Sequence, residues 1–171
     1  TGQAIFIDIV TAANSNNIGT VILSSARHIQ FKNNASTFNA LTVSATTDVY
    51  VDVDLTTDTG DMILSADTDA SGGAEGMFLR FGPTLTSAGN MVLSASSTGV
   101  GIDVGTSVTM VAAGVITLND DLASSGNVSL TGTGGINVNA AFVSGGSATL
   151  NADSDINVAG DLTSADDLTF G

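Results

Sequence analysis

The chain has 171 residues and a formal net charge of −14, with 17 acidic residues against three lysines and arginines. Such a negative surface repels phosphate backbones and anionic lipid headgroups, which excludes nucleic-acid binding and direct membrane insertion. No apolar run is long enough for a transmembrane helix, and the lack of cysteine excludes disulfides and thiolate metal sites.

The residue types favour short strands over helices. Twenty glycines accompany abundant β-branched residues, Asn, Asp and Ser, whereas Glu75 is the one glutamate and Lys32 the one lysine. β-Branched residues favour strands, and Gly, Asn and Asp favour the turns between them. The composition therefore indicates an all-β protein.

Short apolar anchors recur from the N-terminus onward. The first strand is predicted within residues 5–10, with Ile5, Ile7 and Ile9 facing inward, and a polar turn follows. The next anchors begin at residues 21, 41 and 62, so they are 20 and 21 residues apart. Each of the first two is followed by a second anchor 8 residues later.

The middle of the chain breaks this period. The step from the Met62 anchor to the Met91 anchor is much longer than one period, and the step from Met91 to Val108 is shorter than one. The long unit contains a predicted loop insertion around residues 65–76, and the short unit lacks a clear middle strand because residues 94–99 are small and polar. Since both irregularities follow the same strand, we expect the two loops to be spatial neighbours.

The last third of the chain is the most regular. Val128, Ala148 and Leu168 are 20 residues apart, and each unit repeats one longer and two shorter steps between its three anchors. A fixed period of this length with three short strands per unit predicts a parallel β-solenoid, here a single segment covering residues 1–171 with about eight coils. Corners are expected at pairs such as Gly60-Asp61 and Gly126-Asn127, with positive φ or local side-chain hydrogen bonds.

Two of these units carry a family resemblance. Residues 126–140, GNVSLTGTGGINVNA, and residues 147–170, SATLNADSDINVAGDLTSADDLTF, resemble the filamentous-haemagglutinin-type repeats of large exported bacterial surface proteins. The resemblance covers most of the chain. It implies a right-handed parallel β-helix, an extracellular or cell-surface location, and a structural, adhesin-like role as a rod, stalk or filament.

The solenoid interpretation also predicts partners. The chain stops within a repeat at residues 168–171, without a polar cap, and an open coil presents unpaired backbone groups. We therefore expect a piece of a longer repeat protein, whose partners are further coils of the same chain or identical copies stacked end to end. One period also places Lys32 over Asp52 and His28 over Asp48, which predicts weak ion pairs between coils.

The insertion contains the candidate metal ligands. The candidate ligands are Asp67, Asp69 and Glu75. Asp67, Asp69, Ser71 and Gly72 match the first half of an EF-hand loop pattern and Glu75 comes after them, but Phe78 occupies the position of the final glutamate. Two interpretations stay open, a solvated acidic loop and a weak Ca²⁺ site. No other cofactor is predicted.

Three functions are weighed on these grounds. The structural, adhesin-like segment is the main prediction, and no constellation of catalytic residues is present, so the chain is predicted not to be an enzyme. The first alternative is a Ca²⁺- or glycan-binding module that uses residues 65–80, with host-cell or matrix glycans as partners. The remote alternative is a polysaccharide-degrading β-helix enzyme, in which Arg80 would act beside the acidic residues of the insertion.

Overall fold

The computed structural model describes residues 3–15, 17–71, 73–96 and 99–171. Gly72 of the EF-hand-like pattern and residues 97–98 of the small polar segment lie outside the described residues. Along the described ranges, one short helix, α1 (Ala12–Ser15), lies where a polar turn was predicted. No helix in these ranges is long and apolar enough to cross a membrane.

The rest of the regular structure is a series of short strands. In chain order they are β1 (Ile5–Ile7), β2 (Thr20–Ser25), β3 (Ile29–Phe31), β4 (Ser36–Phe38), β5 (Ala40–Ala45), β6 (Val49–Val51), β7 (Leu55–Thr57), β8 (Met62–Ser65), β9 (Gly76–Leu79), β10 (Thr84–Ser87), β11 (Met91–Ser94), β12 (Gly101–Val104), β13 (Val108–Ala112), β14 (Val115–Leu118), β15 (Leu122–Ser124), β16 (Val128–Gly132), β17 (Gly135–Val138), β18 (Phe142–Ser144), β19 (Ala148–Ala152), β20 (Ile156–Val158), β21 (Leu162–Ser164) and β22 (Leu168–Phe170).

The strands form three parallel sheets, and each full coil contributes one strand to each. Sheet A has the order β1-β3-β6-β9-β12-β15-β18-β21, sheet B β2-β5-β8-β11-β14-β17-β20, and sheet C β4-β7-β10-β13-β16-β19-β22. Apart from the β1–β3 pair, each strand thus pairs with strands three places before or after it in the chain. This arrangement is a parallel β-helix with three strands per coil, as the period of the sequence predicts.

The interior of the coil is a continuous apolar core. Alternation of side chains along each strand sends every second residue inward, so equivalent residues of successive coils stack in rows. Phe31 and Phe38 are buried and meet edge to face, with ring centroids 6.2 Å apart. Burial of each large apolar side chain stabilises the fold by about 1.5–3 kcal/mol. The predicted inward position of Ile9 is wrong, because β1 ends at Ile7 and Ile9 is exposed.

The coil boundaries differ from the predicted ones after Met91. Met91 pairs with Ile116 in sheet B, whereas Val108 lies in sheet C and pairs with Val128. The predicted short unit from Met91 to Val108 therefore does not exist. The coil that begins at Met91 instead runs up to the start of β14, so it is longer than the regular period rather than shorter.

The cause of this error is a change in which corner carries the longest step between anchors. In the N-terminal coils this step joins sheet B to sheet A, as from Leu41 to Val49. In the C-terminal coils it joins sheet C to sheet B, as from Val128 to Ile136. Counting steps alone does not distinguish the two arrangements, because each has one long step and two shorter ones.

Side chains at the corners between sheets bind the backbone of the following coil. The Asn90 N–H donates to Asp61 Oδ1 at 2.7 Å, and the Ser147 N–H donates to Asn127 Oδ1 at 2.9 Å. Gly89 and Gly146 sit against these acceptor side chains, and neither has a positive φ. The corner glycines are therefore needed for the close approach of successive coils rather than for a left-handed backbone.

Candidate functional site

Two loops lie together at the corner between sheets B and A. Residues 66–75 connect β8 to β9, and residues 95–100 make the same connection one coil later. The Val100 N–H donates a hydrogen bond of 2.9 Å to the Glu75 carbonyl oxygen, so the predicted proximity of the two loops is confirmed. Both connections are longer than those of the regular coils at this corner, which have three residues, such as 119–121.

We call Asp67, Asp69 and Glu75, in the first of these loops, the acidic corner. One carboxylate oxygen from each of the three lies within 4.8 Å of the other two. The structure thus brings together the three side chains that the sequence singles out as candidate metal ligands. No His or Cys belongs to the cluster, so its donor set consists of oxygen atoms.

Asp67 is the buried member of the acidic corner. Its exposure is 2%, and neither carboxylate oxygen has a hydrogen-bond partner. The backbone of Asp67 is held by a hydrogen bond of 2.6 Å from its N–H to the Thr47 carbonyl oxygen, and it has a left-handed conformation with φ +46°. An ionised carboxylate buried without a partner costs several kcal/mol, so this position calls for a compensating positive charge.

The other two carboxylates are tied to each other through Ser71. The Ser71 N–H donates to Asp69 Oδ1 at 3.2 Å, and the Ser71 hydroxyl donates to Glu75 Oε2 at 2.9 Å. Asp69 is exposed and Glu75 is partly exposed, so the acidic corner has one buried wall and one side open to solvent.

The second loop closes over the acidic corner at Gly99. A Cβ at this position would overlap the Glu75 carbonyl oxygen and would lie 3.0 Å from Asp67 Oδ2. A residue without a side chain is therefore required for the loops to pack against each other. This contact places the second loop beside the buried carboxylate.

Negative charge is concentrated further by Asp120 of the following coil. Burial raises the pKa of the Asp120 carboxyl, the Ala95 N–H that donates to it at 2.7 Å lowers it, and the charges of Asp121 and Asp67 raise it. Asp120 thus responds electrostatically to Asp67. The acidic corner sits in a field that favours cations.

A second feature, which we call the aromatic stripe, lies on the outer face of sheet A and consists of the rings of Phe6, His28, Tyr50 and Phe78. Phe6 and Tyr50 contact His28 edge to face, at centroid separations of 5.4 and 5.7 Å. Tyr50 and Phe78 are stacked 5.1 Å apart with an interplanar angle of 17°. Aromatic pairs in these geometries contribute about 0.5–1.5 kcal/mol each beyond burial.

Arg80 joins the aromatic stripe to Asp52. Its Nε and Nη2 donate to the two Asp52 carboxylate oxygens at 2.7 and 2.8 Å, and its guanidinium lies 4.7 Å from the Tyr50 ring centroid. The predicted ion pair between Lys32 and Asp52 is therefore wrong, because the planar guanidinium matches both oxygens. Lys32 instead places Nζ over the Phe6 ring, 4.7 Å from its centroid.

The remote enzyme interpretation placed Arg80 beside the acidic residues of the insertion. In the structure the Arg80 guanidinium forms an ion pair with Asp52, which lies at the end of the neighbouring strand of sheet A. Arg80 is thus engaged in the aromatic stripe. The contacts of Asp69 and Glu75 described above are to Ser71.

Tyr50 has an altered acidity within the stripe. Burial raises the pKa of its phenol, and both the charge of Asp48 and the side-chain hydrogen bond with Asp48 raise it further. The positive charge of Arg80 partly offsets these effects. The phenol therefore stays neutral over a wider pH range than an exposed tyrosine.

Phe81 is the most exposed large apolar side chain near the stripe. It is 75% exposed and has φ +65°, a conformation that costs a bulky residue about 1–3 kcal/mol. The Arg80 guanidinium lies 5.7 Å from its ring centroid. Folding alone does not explain this residue, because burial gains nothing there and the backbone is strained.

Sequence reasoning missed the aromatic stripe because its members are not one period apart. The steps from His28 to Tyr50 and from Tyr50 to Phe78 both exceed the regular period, and by different amounts. A usable signal was present, since Tyr50 and Phe78 are the middle residues of Val-Tyr-Val and Met-Phe-Leu triplets that face outward when their neighbours face inward. Aligning triplets rather than residue numbers brings the two rings together.

Comparison with protein families gives a match over most of the chain. A family model described as "Haemagglutinin repeat" matches residues 10–95 and 101–171. A search of curated proteins and a search of solved structures each found no match. The gap between the two matched ranges falls within the second loop of the irregular corner.

Proposed function

Because the chain belongs to the haemagglutinin repeat family, we propose that it is a length of shaft in a bacterial surface adhesin, where its coils hold other parts of the adhesin away from the cell. The observation that carries this proposal is the shared interior, in which rows of buried side chains, most of them apolar, run from coil to coil through all three sheets. A rod of this kind is long and stiff, because each coil packs on the one before it.

Stacking of further coils is supported by the last inward row of sheet C. Leu130 and Leu150 are buried, whereas Phe170, the next member of the same row, is exposed. A further coil packed against β22 buries this ring and pairs the outer edge of the strand. We therefore propose that coils of the same chain, or of a second copy, cover this face.

The shaft proposal is tested by lengthening the rod. Duplication of residues 121–140 after position 140 adds one coil in register, because this part of the chain has a regular period and the duplicated stretch is one full repeat. We expect the β-sheet circular dichroism per residue to be unchanged and the maximum dimension in small-angle X-ray scattering to increase by about 4.8 Å.

The matched control inserts the same stretch in scrambled order, which removes the inward apolar pattern. This insertion should form a loop and leave the rod length unchanged. Equal lengthening by both insertions, or unfolding by the duplication, contradicts a modular shaft. The surface location is tested separately: antibodies against the segment should label intact producing cells, and labelling only after permeabilisation contradicts it.

A second candidate function is binding of host-cell or matrix glycans through Phe81 and the aromatic stripe. The observation that favours it is Phe81, a strained and exposed aromatic residue next to the guanidinium of Arg80. Strained residues cluster at binding sites, and aromatic side chains supply large contact areas at a low entropic cost.

Phe81→Gly separates the two roles of this position. Glycine relieves the positive φ, so the variant should unfold at a higher temperature than the parent while its retention on a glycan array is lost. Val143→Ala, at an exposed position on the same sheet, serves as the control and should keep glycan binding. Array signals that are equal in the parent and in Phe81→Gly contradict this candidate.

A further inference from the structure

We propose that the acidic corner is a Ca²⁺ site in which Asp67, Asp69 and Glu75 hold one ion. This inference does not depend on the shaft proposal. It starts from the buried carboxylate of Asp67, whose two oxygens lack hydrogen-bond partners. Buried charges in proteins are paired or coordinate metals, and no Lys or Arg reaches Asp67 among the described ion pairs.

The spacing of the oxygen atoms fits the ion. Ligands on opposite sides of Ca²⁺ are about 4.6–5.2 Å apart, twice the usual Ca–O distance of about 2.3–2.6 Å. The three carboxylate oxygens lie within 4.8 Å of one another, so all three can contact one such ion. Mg²⁺ requires oxygens about 2.0–2.1 Å away in a near-ideal octahedron and loses its water reluctantly, so it is usually bound through one or two carboxylates rather than three.

The chemistry of the site also selects a hard cation. Carboxylate oxygens suit Ca²⁺, whereas Zn²⁺ and Cu²⁺ prefer nitrogen and sulfur ligands, which the acidic corner lacks. Three negative charges and the neighbouring Asp120 attract a divalent ion more strongly than a monovalent one.

The site differs from an EF-hand in the structure that surrounds its ligands. Its ligands come from one loop between two parallel strands, and its roof is the second loop at Gly99, which lies against Glu75 and Asp67. A bound ion compensates the charge of Asp67, and it ties together the two ends of the first loop through Asp67 and Glu75. Ca²⁺ should therefore stabilise the irregular middle of the rod.

The test uses Ca²⁺ alone on the purified chain, by isothermal titration calorimetry and thermal unfolding at matched ionic strength. We expect saturable binding of one ion per chain, with a Kd on the order of 10⁻⁴–10⁻³ M as in extracellular modules. Mg²⁺ should bind more weakly and give a smaller rise in the unfolding temperature.

The key variant is Asp67→Asn, which keeps the shape of the side chain and removes its charge. Without Ca²⁺ it should unfold at the same temperature as the parent or higher, because a buried charge is lost, and its Ca²⁺ affinity should fall at least tenfold. Asp166→Asn makes the same change in charge at an exposed corner near the C-terminus and should keep the parent's affinity. Asp69→Asn should weaken binding without affecting the buried core.

Three outcomes overturn the proposal. These are no saturable binding up to about 10 mM Ca²⁺, roughly tenfold above the weakest extracellular sites, unchanged binding in Asp67→Asn, and an equal loss in Asp166→Asn. The last result would show that Ca²⁺ responds to the overall charge of −14 rather than to the acidic corner.

Discussion

Phe142→Ala should loosen the C-terminal coils without unfolding the N-terminal ones. Phe142 is fully buried in sheet A, in register with Leu122 of the preceding coil and Leu162 of the following one. Truncation leaves a cavity that both neighbours line, and Phe→Ala in a core costs about 3–5 kcal/mol. That is a large fraction of the about 5–15 kcal/mol by which native domains are stable.

The effect should stay local because each coil of a solenoid contacts only its neighbours. Tyr50 in β6 lies four strands from Phe142 in β18, about 19 Å along the axis at about 4.8 Å per strand. Tyr50 is also the one tyrosine of a chain without tryptophan, so its fluorescence reports the N-terminal coils. Far-ultraviolet circular dichroism reports all coils.

Urea unfolding followed by both probes tests the reasoning. In Phe142→Ala we expect the circular dichroism to fall at lower urea while the Tyr50 transition stays close to that of the parent. Val143→Ala is the control, because Val143 is the next residue but points outward and is 45% exposed. The reasoning is refuted if both variants lose the same stability, or if both probes shift by the same amount in Phe142→Ala.

Two further predictions concern the corner contacts and the aromatic stripe. Asn127→Ala removes the acceptor for the Ser147 N–H and should lower the free energy of unfolding by about 1 kcal/mol, whereas Asn127→Asp should retain most of it; equal losses in urea titrations would contradict the hydrogen bond. Absorbance titration of Tyr50 should give a midpoint above the usual value of about 10, lowered by Asp48→Asn. Because the pKa of Tyr50 is raised in the folded state, its contribution to stability is fully present below pH about 10 and is lost as the pH rises through the folded pKa. A titration midpoint that is unchanged in Asp48→Asn would refute the role of Asp48.

The fold was predictable because period and alternation are properties of the sequence itself. The regular repeat fixes coil length, and apolar residues on every second position fix which side chains face inward, as at Val128 and Leu130. The boundary after Met91 was not predictable by counting. The corner that carries the longest step is decided by packing in three dimensions, and either arrangement has one long step and two shorter ones.

The two candidate sites also differ in whether they could be predicted from the sequence. The acidic corner could be predicted because its three carboxylates lie within one short stretch of the chain, from Asp67 to Glu75. The aromatic stripe could not, because an insertion separates Tyr50 from Phe78 in sequence while sheet A holds them in register. Arg80 likewise pairs with Asp52 rather than with an acidic residue close to it in the sequence, because the register of the sheet determines which side chains meet.

The hydrogen bonds of Asp61 and Asn127 give their corners a common chemical direction along the rod. At these positions the side-chain acceptor belongs to the earlier coil and the N–H donor to the later one, as for Asp61 with Asn90 and for Asn127 with Ser147. A coil in place therefore offers a template of acceptors to the coil that follows it. At these corners one end of the rod therefore presents backbone donors and the other presents side-chain acceptors. The two ends thus differ in their hydrogen-bonding chemistry, although the fold of every coil is the same.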